Sequence, residues 1–348
     1  MKTKSQRTIL VTGAGGYIGS VLVEQLLKRG YQIRAFDTFF WGKGSIESTS
    51  KKLKVIRGDI RNIKASAVKG ADYVIHAAGL SNDPMADFNP KANFEINTEA
   101  TKRFVKLCKQ NSVKKFIFAS SASIYDRKNG GEIVQDESSK VIPVAAYSLS
   151  KLKAEKEIIK LKDKNFCPVI FRQGTVYGYS KRLRYDLVVN TMVKDALQNG
   201  IIHVFSKGAQ YRPLVDVKDV AKVYIVAIES DNPKICGEIF NLRYKNYTVL
   251  ELSRIIRKTF ENKYKIKIKV KIENTHKVVR NYKITGHKLQ AFFKWKPQIP
   301  VEESVQNLVQ QIRKNKNTDF SHPKYYNIEW MKLLTEVEDL AKGSGKIF

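Results

Sequence analysis

Short apolar runs rich in β-branched residues recur along the first half of the chain, separated by stretches of helical spacing. The runs at 8–12 (TILVT), 31–37 (YQIRAFD), 53–57 (LKVIR), 72–77 (DYVIHA), 115–120 (KFIFAS) and 167–173 have the length and residue types of buried strands. Helical spacing occupies about 16–29, 90–110 and 146–163, and VLVEQLLKRG carries an apolar face that stops at Gly30. Strands alternating with helices in this way predict βαβ units, and hence an α/β, Rossmann-type doubly wound parallel sheet. After about residue 175 the rhythm breaks into mixed segments, which are expected to form a smaller C-terminal lobe. One of them, KIKIKVKI at 265–272, alternates lysine with apolar residues and predicts a strand with one solvated face. The expected divisions are a first domain over 1–180, a lobe over 181–314 that partly interleaves with it, and an extension over 315–348 in which no motif is readable.

Composition changes this picture little. Hydrophobic residues make up 43% and charged residues 28% of the 348, as in ordinary globular proteins. No apolar run approaches the roughly 18 residues of a spanning helix. The N-terminus passes from MKTKSQR into the first strand without an apolar leader, so a cytoplasmic protein with no membrane partner is expected. Cys108, Cys167 and Cys236 are far apart, odd in number and form no CxxC pair. They predict neither a disulfide framework nor a zinc site, no metal is expected, and all three are read as reduced and partly buried.

The formal charge of +30 admits two readings, a nucleic-acid-binding surface or a lysine-rich solvated exterior. The lysines are spread along the whole chain, without an arginine-rich block or an RNA-binding signature. That favours the solvated exterior, with some attraction for an anionic substrate, and no nucleic-acid partner is expected. An RNA-binding or scaffold protein on the same fold stays open as the alternative of another class.

Candidate chemistry begins directly after the first strand, at Gly13-Ala14-Gly15-Gly16-Tyr17-Ile18-Gly19. Glycines at 13, 16 and 19 ahead of a helix let the backbone turn tightly and approach a pyrophosphate at the positive helix end. Asp37 closes the second strand about 20 residues further on, where a carboxylate can accept hydrogen bonds from an adenosine ribose. The same carboxylate repels the extra phosphate of NADP, so the expected cofactor is NAD. Tyr147 and Lys151 stand four residues apart at the start of a helix and share one face. A phenol is a poor base at neutral pH, but a neighbouring cation stabilises its phenolate. Ser120-Ser121-Ala122-Ser123 ends the fifth strand and offers hydroxyls to a reacting oxygen.

These residues, with Asp59 in GDI, His76-Ala77-Ala78-Gly79 and SSASIY, resemble the extended short-chain dehydrogenase/reductases over about residues 8 to 310. The resemblance implies Ser121, Tyr147 and Lys151 as the catalytic set. It implies a cofactor site of Gly13, Gly16, Tyr17, Ile18, Gly19, Asp37, Asp59, Ile60, Ala77, Ala78, Gly79, Ser81 and Asn97 together with Tyr147 and Lys151. In the second half, Arg172-Gln173-Gly174-Thr175-Val176-Tyr177-Gly178, the run from Ser180 through Arg182, Arg184 and Asn190, the segment Tyr211-Arg212-Pro213, and Arg280-Asn281-Tyr282 are similar to the nucleotide-sugar epimerase/dehydratase branch. Thr175 departs from that branch, which often has Asn there. Ser121, Ser123, Thr175, Arg182, Arg184, Asn190, Arg212 and Arg280 are thereby implied as substrate contacts, and guanidinium forks suit a sugar diphosphate. Dehydratases of the branch carry an Asp-Glu pair where this chain has Ala122 and Ser123, which disfavours dehydration. The resemblance thus implies a homodimeric enzyme of carbohydrate biosynthesis that uses NAD to oxidise carbon 4 of a nucleotide-diphosphate sugar, chiefly for 4-epimerisation. A 4-dehydrogenase or a 4-keto-reductase stays open.

Overall fold

Seven strands make the central sheet: β1 (Thr8–Thr12), β2 (Gln32–Asp37), β3 (Leu53–Arg57), β4 (Tyr73–His76), β5 (Lys115–Ser121), β6 (Cys167–Gln173) and β7 (Ile239–Leu242). All pair in parallel, in the order β3-β2-β1-β4-β5-β6-β7. The doubly wound sheet expected from the sequence is therefore present, with every expected strand in it and β7 added. This computed structural model describes residues 3–126, 133–274 and 280–344. Alternate side chains of each strand serve opposite faces. Ile9 and Val11 join one apolar layer and Leu10 the other, all three fully buried. Helix α1 (Tyr17–Lys28) and helix α3 (Val217–Glu229) pack together on the first layer, while α2 (Ala146–Ile159) contributes Ala154 and Ile158 to the second. Because β2 and β3 lie on one side of β1 and β4 to β7 on the other, the winding reverses between β1 and β4. A crevice opens there at the strand ends, the usual ligand position in such sheets.

A separate apolar cluster is built by the helices Val188–Asn199, Val249–Thr259 and Val301–Lys314, with Val193, Ile256 and Leu308 at its centre. Strand Lys269–Glu273 pairs in parallel with Ile201–Phe205 beside it. The alternating run at 265–272 is thus a strand only from Lys269. Lys265 has a left-handed φ of 59° at the end of the preceding helical turn, which breaks the extended path, and Ile272 is 52% exposed. Helix α4 (Asn327–Ser344) then returns towards the crevice of the first sheet. Among the described residues no helix is long and apolar enough to cross a membrane.

The cysteines need correction. Cys167 and Cys236 form a disulfide, and Cys108 is free and buried. Their separation of 69 residues conceals the pairing in the sequence. Parallel register sets Ile239 opposite Ile170, which carries residue 236 beside residue 167 with Cα atoms 4.7 Å apart.

Candidate active site

The glycine turn follows from close contact between backbones. Gly13 adopts φ +73°, and a Cβ there would stand 2.6 Å from the Ala77 and Ala78 main chain. A Cβ on Gly19 would lie 2.8 Å from the Ala14 Cα atom. Gly16 caps α1 without a side chain, so no hydroxyl or carboxylate competes for the first-turn N–H groups. Asp37 Oδ2 accepts from Gly15 N at 3.0 Å and Oδ1 from Phe39 N at 2.8 Å, which fixes the carboxylate at the crevice edge. Burial raises its pKa, against the pull of these backbone donors. Burial would also raise Asp59, but hydrogen bonds from Arg61 outweigh it and the net shift is downward.

One cleft is lined by Gly13, Gly16, Tyr17, Ile18, Gly19, Asp37, Asp59, Ile60, Ala77, Ala78, Gly79 and Ser81 on the sheet side. Ser121, Tyr147, Thr175, Arg182, Arg184 and Arg280 line it from the other elements. A cradle that admits no Cβ, a helix end without a side-chain cap and a carboxylate held at the crevice edge together fit a dinucleotide. The carboxylate gives a testable preference. Titrated into protein freed of nucleotide, NAD should bind more tightly than NADP, and the reverse order would contradict the role given to Asp37.

At the end of β5, Ser121 caps a short helical turn. Its Oγ accepts from Ser123 N at 3.2 Å, donates to Ser123 Oγ at 2.9 Å and is hydrogen-bonded with Tyr147. Burial pushes the Tyr147 phenol up to about 12, while the charge of Arg280 and the Ser121 bond pull it down. Lys151 sits behind the wall: Nζ donates to Ala119 O at 3.0 Å and lies 4.8 Å from the centre of the Phe118 ring. Burial pushes this ammonium down to about 8, with Glu155 opposing. At neutral pH the unliganded pair is therefore a phenol beside an ammonium.

Besides Lys151, four residues implied by resemblance stand behind the lining. Asn97 spans the loop that follows β4, accepting from Leu80 N and donating to Leu80 O, each at 2.9 Å. Ser123 shares its hydroxyl with Ser148 at 2.8 Å. Asn190 accepts from Gly178 N and donates to Arg184 O, holding the turn after strand Thr175–Tyr177. Arg212 donates to the carbonyls of Tyr211 and Arg280. Of the remaining arginines, Arg184 grips Asp186 with two bonds of 2.8 Å and reaches Ser81 at 3.2 Å. Arg280 pairs with Asp83 and reaches Ser148 at 3.3 Å. Sequence reading missed Asp83, Trp41, Tyr282, Asn327 and Met331, which form or support the same cleft. The three aromatic residues 39–41, which follow Asp37-Thr38, were the available signal for Trp41. Nothing in spacing pointed to Asp83, 197 residues from its partner, or to Asn327.

Fold and site together define a short-chain dehydrogenase/reductase of the extended type. Residues 9–242 match the NAD dependent epimerase/dehydratase family, and the chain belongs to that family, with NAD as its cofactor. An uncharacterized UDP-glucose epimerase of Bacillus subtilis is 31% identical over 249 residues, which are 67% of this chain and 76% of that protein. A UDP-N-acetyl-alpha-D-glucosaminuronate decarboxylase of Bacillus cytotoxicus is 25% identical over 330 residues, 90% of this chain and 99% of the other. The crystal structure of UDP-glucuronic acid 4-epimerase from Bacillus cereus, in complex with UDP-glucuronic acid and NAD, is similar with a TM-score of 0.76 and 25% identity, covering 88% of this chain and 99% of that one.

Proposed function

We propose that this enzyme is a 4-epimerase of nucleotide-diphosphate sugars. The observation that carries the reading is the meeting of Ser121 and Tyr147 in one cleft with the glycine turn, with Lys151 one helical turn past Tyr147 on α2 and donating to Ala119 O. Tyr147 acts as the phenolate, which the ammonium of Lys151 and the positive charge of a bound nicotinamide would favour; it takes the proton of the 4-hydroxyl while Ser121 holds the oxygen in line. NAD, held by the glycine turn and Asp37, would supply reversible hydride exchange with carbon 4, and epimerisation requires the 4-keto sugar to present its other face before the hydride returns. Tyr147 then gives its proton back to the carbon 4 oxygen, which becomes the new hydroxyl. Ala122 and Ser123 provide no second acid/base pair for dehydration. Arg184, Arg280 and Thr175 take the substrate from the second lobe, while Ser123, Asn190 and Arg212 act from behind by positioning their neighbours. Both sequence relatives act on UDP-sugars by name, and UDP is the first nucleotide to try. A homodimer and a cytoplasmic location complete the reading. The Cys167–Cys236 disulfide is the feature least at ease in a reducing compartment. The comparisons lend nothing to an RNA-binding or scaffold role.

The test is a panel of UDP-, GDP-, CDP- and dTDP-sugars incubated with the full-length protein and NAD, with products read by NMR. Interconversion of 4-epimers without net reduction of NAD is expected. Net NADH formation would make the enzyme a 4-dehydrogenase, carbon dioxide release a decarboxylase, and no altered sugar across the panel would overturn the proposal.

A further inference from the structure

Arg182 is 6% exposed and lines the cleft, yet its Nη1 has no hydrogen-bond partner among the described residues. Its guanidinium lies 4.2 Å from the centre of the Trp41 ring, and Trp41 Nε1, in the same cleft wall, is also buried and without a partner. Two orphan donors side by side, one of them cationic, are rare inside a folded protein and call for a group that only accepts. A phosphate oxygen is such a group, and a guanidinium held against an indole is already shaped to meet it. The other edge of the fork is occupied, because Nη2 donates to Asn327 Oδ1 at the start of α4. Three residues further on, Trp330 Nε1 donates to Phe40 O at 2.8 Å, so one helix fastens both the Trp41 loop and Arg182.

The position of this cluster decides which diphosphate it faces. Ser180, two residues before Arg182, bonds Ser20 Oγ at 2.8 Å and donates to Tyr17 O at 2.8 Å, which ties the segment to the first turn of α1. Trp41, on which the Arg182 guanidinium stacks, follows Asp37 by four residues, and Tyr17 opens the helix behind the glycine turn. Tyr17 and Asp37 belong to the dinucleotide half of the cleft, whereas Arg280 pairs with Asp83 beside Tyr147. A phosphate on the adenosine ribose is disfavoured at this point by the Asp37 carboxylate.

We propose that Arg182 and Trp41, fastened by Asn327 of α4, form a clamp on the diphosphate of the bound NAD, opposite the glycine turn. This assigns Arg182 to the cofactor and not to the sugar nucleotide, and gives the C-terminal extension a task. It rests on the reading of the cleft as an NAD site. The clamp adds a charged donor to the backbone N–H groups of α1, so the diphosphate is held from two sides and dissociation of NAD between turnovers is slowed.

Calorimetric titration of nucleotide-free, full-length protein with NAD, ADP-ribose, adenosine and UDP tests this. Arg182→Met should weaken NAD and ADP-ribose about 10- to 100-fold, the range for losing a charged hydrogen bond, with adenosine and UDP changed by less than about twofold. Trp41→Phe keeps the ring under the guanidinium but lacks the donor, and should weaken the same two ligands about 3- to 10-fold. Wild-type NAD affinity in both variants overturns the clamp. So does a loss confined to UDP, which would return Arg182 to the sugar nucleotide, or an equal loss for adenosine, which would mark a purely structural role. If Arg182→Met does not fold, Trp41→Phe decides alone by the same comparison of ADP-ribose with adenosine. Failure of the unaltered protein to bind NAD would instead refute the cofactor reading itself.

Discussion

Tyr147→Phe should keep the fold and the NAD affinity of the parent protein and lose about 10²–10⁴-fold in turnover, the range that a positioned acid/base contributes. Phe fills nearly the same volume at a site that is 9% exposed, and the hydroxyl it lacks meets the Ser121 side chain. Turnover on the identified sugar, melting temperature and NAD titration are measured together. Wild-type turnover would remove Tyr147 from the chemistry, and a fallen melting temperature with parallel loss of NAD binding would make it structural. The partner variant separates the cation from the phenol. Burial raises Tyr147 to about 12 and lowers Lys151 to about 8, so below about pH 8 the ammonium is charged, and in the proposed mechanism it supports ionisation of the phenol one helical turn away. Lys151→Met removes that support at every pH, and the acid limb of its pH–rate profile should move upward by about one unit or more. An unmoved limb would exclude Lys151 from setting the phenol's proton affinity.

Arg172→Met should lower stability by about 3–5 kcal/mol, the usual consequence of stripping one member from a buried ion pair. The Arg172 and Glu155 side chains are 5% and 2% exposed and meet at 2.7 Å. Arg172 Nη1 also donates to Tyr125 OH at 2.7 Å, and Ser120 donates to Glu155 Oε1. Without the guanidinium, Glu155 is a carboxylate in an apolar layer that must ionise unaided or take up a proton. Glu155→Leu in the Arg172→Met background should recover most of the loss, because two apolar side chains need no partner. Urea unfolding of the single and double variants reads both values. A loss below about 1 kcal/mol for Arg172→Met would mean that water reaches the pair. The effect bears on the site as well, since Glu155 lies one turn beyond Lys151 and Ser120 directly precedes Ser121.

The sheet was legible because β1, β4, β5 and β6 are buried on both faces and so run almost continuously apolar, and because Gly13, Gly16 and Gly19 are demanded by backbone contact and not by side-chain taste. Asp37, Ser121 and Tyr147 were legible for the same reason: each has a fixed offset from an element that the sequence already reveals. Legibility ends where a partner comes from another part of the chain. Strand β7 is four residues long and arrives after an excursion into the second apolar cluster, so no local period marks it. With β7 unseen, the Cys167–Cys236 pairing could not be anticipated. Resemblance names arginines but does not say which way they face. Arg212 turns to two carbonyls and Arg184 to Asp186, and only three-dimensional neighbours distinguish these from Arg182. Asn327 acts through hydrogen bonds with Arg182, Asp186 and Ser81, and Trp330 through one to Phe40 O, from a helix that carries no motif at all.

The route of the chain between the two apolar clusters has a mechanical consequence. It leaves the sheet after Gln173 to form strand Thr175–Tyr177, comes back at Asp216 into α3, and leaves again after Leu242 for strand Lys245–Thr248. It comes back with helix His287–Phe293, whose Leu289 joins the first apolar layer, leaves for helix Val301–Lys314, and returns a last time with α4. A body joined to its neighbour by one strand of backbone can swing about a single pivot; one joined by six connections is braced like a frame. Large hinge rotation would have to break the pairing of strand Thr175–Tyr177 with Tyr211–Asp216, which lies on the seam. Access to the cleft is then gained by small sliding displacements and by rotation of side chains at its mouth, and neither half can be cut free and expressed as an independent folding unit.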